Sequence, residues 1–397
     1  MNPLPLRNIR VLEMTHVVAG PTAGRILADM GADVIKVEPP DALDPSRPGS
    51  ARTGSFFYLN SNKRGIVLDL KKDDARNIFY RLAEKADILL ENMGPGVMDR
   101  LGLGYADLSQ RNPRLVYCSI KGFLSGPYGN RPSMDELAQN MSGLAWMTGP
   151  KGRPLRAGAS VVDIGAASFG VNGILGALLE RHTTGKGQFI NSGLFETALF
   201  YVGQHMAQTQ FTGTPPRSMA ERDRNTAGGY AVYDLFACSD GRQIFVAVFN
   251  TPQWKSFCRV LGLDDLTDNP DLQDNASRAR ARPWVMPRLD EAIGKHEGKA
   301  LFRLLSDAAV PAAVVNTPET VMEEAQVQAP HRLAQIAAPG KQLSVPTLPY
   351  ETSDYVFTQR YDPPARPGRD TKAILAEAGY SPDEIKRLMQ AKAAMEL

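Results

Sequence analysis

The 397-residue sequence predicts an α/β fold: a large domain with an open, mostly parallel, Rossmann-like sheet, plus a smaller α+β domain. Three observations carry the prediction. Five short runs of aliphatic and β-branched residues recur within the first 120 positions. Stretches with apolar residues three and four positions apart, the signature of amphipathic helices, lie among them. Beyond about residue 212 a polar, proline-containing stretch leads into a hairpin pattern and then a charged, helical segment, compositionally separate from the first half.

IRVLEM (9–14) reads as the first strand, a turn follows at Ala19-Gly20-Pro21, and TAGRILADMG (22–31) as a helix. VIKVE (34–38), GIVLDL (65–70), DILLEN (87–92) and LVYCSI (115–120) are the next four strands. DDARNIFYRLAEKA (73–86) places Ile78, Leu82 and Ala83 on one helical face. IGAASFGVNGILGALLERHTTGKG (164–187) is a long helix ending at Gly185-Lys186-Gly187. Its apolar stripe (Val171, Ile174, Leu175, Leu178) runs beside a small-residue face (Ala166, Gly170, Gly173, Ala177), so it is expected to be deeply buried. The polar stretches 213–229 and 325–345 read as linkers, and YDLFACSDGRQIFVAVF (233–249) as a hairpin turning at Asp240-Gly241. SPDEIKRLMQAKAA (381–394) is an amphipathic helix with Ser381 as its N-cap.

Several function classes find no support. A net charge of +2 gives no bulk attraction for nucleic acid or an anionic membrane. Cys118, Cys238 and Cys258 are odd in number and far apart, and the five histidines form no HxxxH or HExxH, so neither a disulfide framework nor a metal site is expected. The N-terminus lacks a signal-peptide core and no run of 18 apolar residues occurs, so a cytoplasmic, non-membrane protein is expected. THVVAGPTAG (15–24) is not the GxGxxG of dinucleotide sites, and no GxSxG occurs. Cys118, inside a strand, reads as a buried inert thiol.

One carboxylate remains. In RAGASVVDIGAASFG (156–170), Asp163 sits among Val161, Val162 and Ile164 with no other acid, base or metal ligand within six residues. An N-cap role accounts for an Asp directly before a helix. The helix N-terminus would also favour the ionised form against desolvation. A charged, poorly hydrated carboxylate is a competent nucleophile toward an activated acyl group such as a thioester.

Five ordered segments sharpen this reading: MTHVVAGPTAGRILADMGADVIKVEPP (14–40), SFFYLNSNKRGIVLDLKK (55–72), ADILLENMGPGVMDRLGLGY (86–105), LVYCSIKGFLSGPYGNRP (115–132) and RAGASVVDIGAASFGVNGILGALLERHTTGKGQFI (156–190). Together they resemble the class III coenzyme A transferases, the CaiB/BaiF family of formyl-CoA:oxalate and carnitine type. The resemblance implies that Asp163 attacks an acyl-CoA to form a mixed aspartyl-acyl anhydride, after which an acceptor carboxylate takes over the CoA. It places His16, Val17 and Val18 toward the pantetheine end of CoA. Leu68, Lys71, Asn92 and Met93 become walls of the nucleotide pocket, and Arg100 a phosphate contact. CoA enters as substrate rather than resident cofactor, and the partners are an acyl-CoA, a small carboxylic acid and a second copy in an interlocked homodimer. The implied organisation is residues 1–212 for the CoA-binding part of the large domain, 213–325 for the small domain with its linker, and 326–397 for the return to the large domain.

Three departures argue against oxalate as the substrate. Pro39 stands where the oxalate-type enzyme has a basic residue, the long glycine loop has only NTAGGY (225–230) as counterpart, and Met134 replaces the usual Tyr before Asp135. An α-methylacyl-CoA racemase is the runner-up, disfavoured because residues 128–138 contain no His for the required acid–base pair. A non-catalytic CoA-binding subunit is the alternative outside enzymology.

Overall fold

The computed structural model describes residues 3–221 and 229–397, so most of NTAGGY lies outside the described residues. The chain divides into two compact units, one of Met1–Pro216 with Gln328–Leu397 and one of Arg217–Val327.

In the larger unit six parallel strands, β1 (Arg10–Met14), β2 (Asp33–Glu38), β3 (Lys63–Leu68), β4 (Ile88–Glu91), β5 (Val116–Lys121) and β6 (Phe189–Gly193), lie in the order β3-β2-β1-β4-β5-β6. The first strand is central: Leu12 pairs with Ile35 on one side and with Leu89 on the other. After β3 the chain crosses back to the other side of β1, so the crevice at the carboxyl ends of β1 and β4 is a topological switch point, where open α/β sheets bind ligands. Helices cover both faces, as a parallel sheet requires. They are α1 (Ala19–Asp29), α2 (Thr53–Leu59), α3 (Asp73–Ala83), α4 (Val97–Arg100), α5 (Tyr105–Arg111), α6 (Asp135–Ser142), α7 (Leu144–Thr148), α8 (Val161–Thr184) and α9 (Leu194–Thr212). One face packs Leu12, Ile35, Leu68 and Leu89 on Ile78, Phe79 and Leu82 of α3. The other packs Val11, Ile88 and Cys118 on Leu27 of α1 and on Ala166, Val171 and Ile174 of α8.

The predicted small face of α8 lies against β5 and β6, where a Cβ on Gly173 would come 2.9 Å from Ile190 Cγ2. Among the described helices α8 alone is long and apolar enough to cross a membrane; Ser168 and Asn172 interrupt the apolar run that the sequence search required. Here Val162, Ala166, Val171, Ile174, Ala177 and Leu178 are core residues of the unit, while Ile164, Phe169 and Leu179 stay exposed, so the helix is half-buried rather than deeply buried as expected. It begins at Val161, three residues ahead of the predicted start, so Asp163 stands in its first turn rather than at its cap.

The smaller unit holds an antiparallel sheet of β7 (Val232–Ala237), β8 (Gln243–Val248) and β9 (Ala312–Val314). Helices α10 (Thr251–Val260), α11 (Asp264–Thr267), α12 (Asn275–Ile293) and α13 (Gly298–Asp307) close its core around Trp254, Phe257 and Leu289. The Asp240-Gly241 turn is present, with Gly241 at φ +77°. The stretch 325–345 is not simply a linker. Leu333–Ala338 (β10) and Lys341–Pro346 (β11) form a hairpin whose Ile336 and Val345 pack on Phe56 and Phe57 of α2. The alternation of apolar and polar residues was present, but its few large side chains read as polar linker. The chain finishes with α14 (Thr371–Glu377), α15 (Pro382–Gln390) and β12 (Ala394–Met395), which adds antiparallel to β3. Ser381 caps α15 as predicted, in a reciprocal capping box with Glu384.

Charged side chains are buried beneath the crevice. Lys36 and Lys63 are fully buried. Lys36 Nζ donates to Thr15 O at 2.7 Å and to Asp44 Oδ2 at 3.1 Å, while Lys63 Nζ donates to Glu13 Oε1 and to Pro21 O, both at 2.9 Å. Burial opposes the Lys36 charge, but Glu13, Glu38 and Asp44 outweigh it and raise its pKa. Replacing one member strands the others. Lys36→Met is expected to lower stability by about 3–5 kcal/mol, read from the urea midpoint of unfolding; a change below about 1 kcal/mol would show the cluster to be dispensable.

Candidate active site

The turn between β1 and α1 is built from that buried cluster. Val17 adopts φ +66°, a left-handed conformation that a β-branched residue enters only under constraint. The constraint is visible: Lys36 holds Thr15 O, Asp44 Oδ1 accepts from Val17 N at 3.4 Å, and Asn92 brackets His16. Asn92 Oδ1 accepts from His16 N and Asn92 Nδ2 donates to His16 O, both at 3.0 Å. Gly20 is needed because a Cβ there would come 2.5 Å from Thr15 Cβ and 2.9 Å from Asn92 Cγ. After β4, Glu91 receives Lys121 Nζ at 2.7 Å and Met93 N at 2.8 Å, fixing the second turn.

These turns, the segment after β5 and the start of α8 line one cleft of about 640 Å³. Of the residues nominated from sequence, His16, Val17, Val18, Asn92, Met93 and Asp163 line it together. His16 is neutral at pH 7, since burial lowers its pKa more than Asp44 raises it. The amide of Asn92 is occupied by the His16 backbone, so it shapes the wall rather than presenting a free donor. Three nominated residues are not among the lining residues of this cleft. Leu68 is fully buried in the sheet core, its strand paired with Ala394, so its side chain has no surface left for a ligand. Lys71 is exposed and ion-paired with Asp41. Arg100 is exposed at the end of α4.

The start of α8 differs from the sequence expectation in an informative way. Ser160 is the N-cap and makes no side-chain cap bond. The capping oxygen comes instead from α6: Asp135 Oδ2 accepts from Val162 N at 2.9 Å and from Asp163 N at 3.1 Å. Asp135 Oδ1 accepts from Gln139 Nε2 at 2.6 Å, and Gln139 Oε1 accepts from Ala157 N at 2.9 Å. Arg156 approaches the same carboxylate at 3.5 Å. A buried Asp–Gln pair therefore holds the segment leading into α8 and takes the first-turn donors that were expected to support Asp163.

The Asp163 carboxyl is accordingly not held in its charged form by the helix. Burial, and then Asp135, push it up to about 7, against the opposing pull of Arg156 and Arg52. The carboxyl is therefore half ionised near neutrality and more basic than an ordinary carboxylate. Cys118 is inert by comparison, fully buried with its thiol pushed up to about 12 by burial. Among the described residues no three His, Cys, Asp or Glu side chains form a metal-holding group.

Sequence reading missed Asp135, Gln139, Arg156 and Arg52. Asp135 and Gln139 stand in RPSMDELAQ at the four-residue spacing that faces one side of a helix, the one available signal. If Asp135 sets the Asp163 titration, Asp135→Asn removes a negative charge while keeping an acceptor oxygen. The pKa of Asp163 then falls, and the acidic limb of the pH–rate profile is expected to move from near pH 7 to lower pH. An unmoved limb would contradict the coupling.

Comparison with known proteins agrees with this geometry. Residues 6–371 match CoA-transferase family III. The chain is 32% identical over 400 residues to the succinyl-CoA:glutarate CoA-transferase of Homo sapiens, covering 98% of this chain and 90% of that protein. It is 34% identical over 330 residues to the acetyl-CoA:oxalate CoA-transferase of Acetobacter aceti, covering 80% and 84%. The crystal structure of a CaiB/BaiF family protein from Brucella suis superposes with a TM-score of 0.84 at 30% identity, covering 95% of this chain and all of that one. With its parallel sheet, its smaller α+β unit and this match along nearly its full length, the chain belongs to CoA-transferase family III.

Proposed function

We propose that this class III CoA-transferase moves CoA from an acyl-CoA to a carboxylic acid through a mixed anhydride on Asp163. The observation that carries the reading is a single carboxylate, raised to about 7 and facing a cleft at the switch point of the sheet. An oxygen of ionised Asp163 attacks the thioester carbonyl, the C–S bond breaks, and the CoA thiolate leaves. The acceptor carboxylate attacks the Asp163 carbonyl, expelling the donor's acid and leaving a new anhydride. The retained thiolate then attacks the incoming acyl carbonyl and restores Asp163. Each step exchanges one carboxylate or thiolate for another, so no proton need be transferred. His16, Val17, Val18, Asn92 and Met93 form the wall beside the thioester. A racemase is a poorer fit: the one histidine lining the cleft, His16, has its backbone bracketed by Asn92 and is neutral, and no histidine stands in residues 128–138.

Asp163→Asn is the direct test. Loss of the nucleophile is expected to cut acyl exchange by at least roughly 10³-fold. A carboxyl that titrates near 7 rather than near 4 binds its proton more tightly in the folded state. It therefore costs stability as pH rises from about 4 to 7, by roughly 1–2 kcal/mol after allowance for its partial exposure. The inactive Asp163→Asn protein should thus be as stable as the parent or more so at pH 8, and full activity in it would overturn the assignment. For the parent, the rate of attack on acyl-CoA is expected to fall about tenfold per pH unit below pH 6, because the reactive form is the ionised one.

The same reading includes a homodimer. Leu179, Phe200 and Phe211, on α8 and α9, are large apolar side chains left more than two-thirds exposed in the single chain, which supports burial against a second copy. Light scattering is expected to give twice the chain mass, and a stable monomer would exclude the dimer.

A further inference from the structure

Two carboxylates pass Asp163 in each cycle. The incoming one attacks the Asp163 carbonyl, the donor's leaves, and both anions travel beside the buried Asp135 carboxylate. Four cationic side chains line the cleft: Arg52, Lys121, Arg131 and Arg156. Lys121 donates to Glu91 Oε2 at 2.7 Å and to Met93 O at 2.6 Å. The Arg131 guanidinium lies over the Tyr128 ring, 4.3 Å from its centre. Arg156 is tied by contact to the Asp163 turn: its Nη1 lies 3.5 Å from Asp135 Oδ1, while Asp135 Oδ2 accepts from Asp163 N at 3.1 Å. Two contacts and the width of one carboxylate thus separate the guanidinium from the Asp163 backbone.

Asp135 does not need this contact. Its Oδ1 already accepts from Gln139 Nε2 at 2.6 Å, and its Oδ2 from Val162 N at 2.9 Å as well as from Asp163 N. Three such donors stabilise a buried carboxylate, whereas 3.5 Å is the outer limit of a hydrogen bond. For Arg156 the same contact is the only one its five N–H groups make among the described residues, and its side chain is 39% exposed. The backbone beneath it is nevertheless braced on both sides. Leu155 N donates to Ala145 O at 3.0 Å, and Ala157 N to Gln139 Oε1 at 2.9 Å. Gly149 lets the segment fold down, since a Cβ there would come 2.2 Å from Arg153 O. A cation on a fixed backbone with an uncommitted head is preorganised for an anionic ligand.

We infer that Arg156 receives the reacting carboxylate of the incoming acid and releases that of the departing one. This role rests on the transferase reading above and adds a catalytic residue to it. The planar guanidinium takes a carboxylate through two parallel hydrogen bonds, which holds the acid in one orientation and offsets the repulsion from Asp135. The competing ligand is a CoA phosphate. A pantetheine arm separates the phosphates of CoA from the sulfur that must meet Asp163. Arg156 touches the residue that caps the Asp163 turn, so it serves the reacting end of the cleft.

The test follows exchange of a labelled acid into its own CoA thioester by the full-length protein. Formate, acetate, oxalate, succinate and glutarate are the probes, and the acid that the parent exchanges fastest is carried forward. Arg156→Met is expected to lower kcat/KM for that acid about 100-fold, while the Kd of CoA, read by calorimetry, stays within about threefold. Arg156→Lys should recover part of the loss, since it keeps the charge but not the fork. The defect is expected to persist at pH 9, where Asp163 is ionised in parent and variant alike. A defect that disappears at pH 9 would show that Arg156 acts only by keeping Asp163 charged, and would overturn the acid-binding role. An undiminished kcat/KM for the acid in Arg156→Met would overturn it as well. Equal weakening of acid and CoA would assign Arg156 to a CoA phosphate or to the fold instead. Should the urea midpoint show Arg156→Met to be poorly folded, Arg156→Gln is read against the same outcomes. Absence of exchange by the parent with every acid would strike the transferase reading itself.

Discussion

The acceptance of two backbone N–H groups by Asp135 is the constraint on which the site depends. Helix α8 begins in the wall of the cleft, and Ser160 at its N-cap makes no side-chain bond to the first-turn donors. Asp135 supplies the oxygen from another helix, and Gln139, one turn further along, ties down the approaching segment. Asp163 is thereby fixed in the first turn, facing the cleft. The same arrangement deprives it of helix N–H support and sets a second carboxylate close by. Burial then wins over the helix, and the carboxyl is pushed up to about 7.

The second support is the charge cluster under β1. Lys36 and Asp44 hold Thr15 O and Val17 N, so a strained turn persists at the mouth of the crevice. Strain of this kind survives only where the surroundings over-determine it. Here the determinants come from three strands: Glu13 on β1, Lys36 on β2 and Lys63 on β3. Those groups converge because β1, β2 and β3 are neighbours in the sheet, with Glu13 paired to Lys36 in register.

Much of this was legible in the sequence. The five predicted strands and the α3 and α8 patterns appear where their periodicity placed them, because each buries its face against neighbours that any α/β sheet provides. Asp163 stood out for a different reason, as a lone carboxylate among apolar residues for which a cap role was the one local account. The cap was misplaced because capping was sought beside the helix, whereas Asp135 reaches α8 from 27 residues away. Arg52 gave no signal, lying in a proline-, serine- and arginine-rich stretch without period; only its place in the cleft gives it meaning. Leu68 shows the converse limit: a motif position can match a family while its side chain belongs to the core.

The central claim is that an Asp163 oxygen becomes part of the bond being exchanged. The most direct measurement supplies an acceptor acid labelled with ¹⁸O in its carboxylate, allows multiple turnovers, and determines the isotope content of the peptide containing Asp163 by mass spectrometry. The anhydride route predicts that ¹⁸O accumulates in the Asp163 carboxyl, because the bridging oxygen left behind when the thiolate attacks comes from the acceptor. Continued transfer with an unlabelled Asp163 would contradict it.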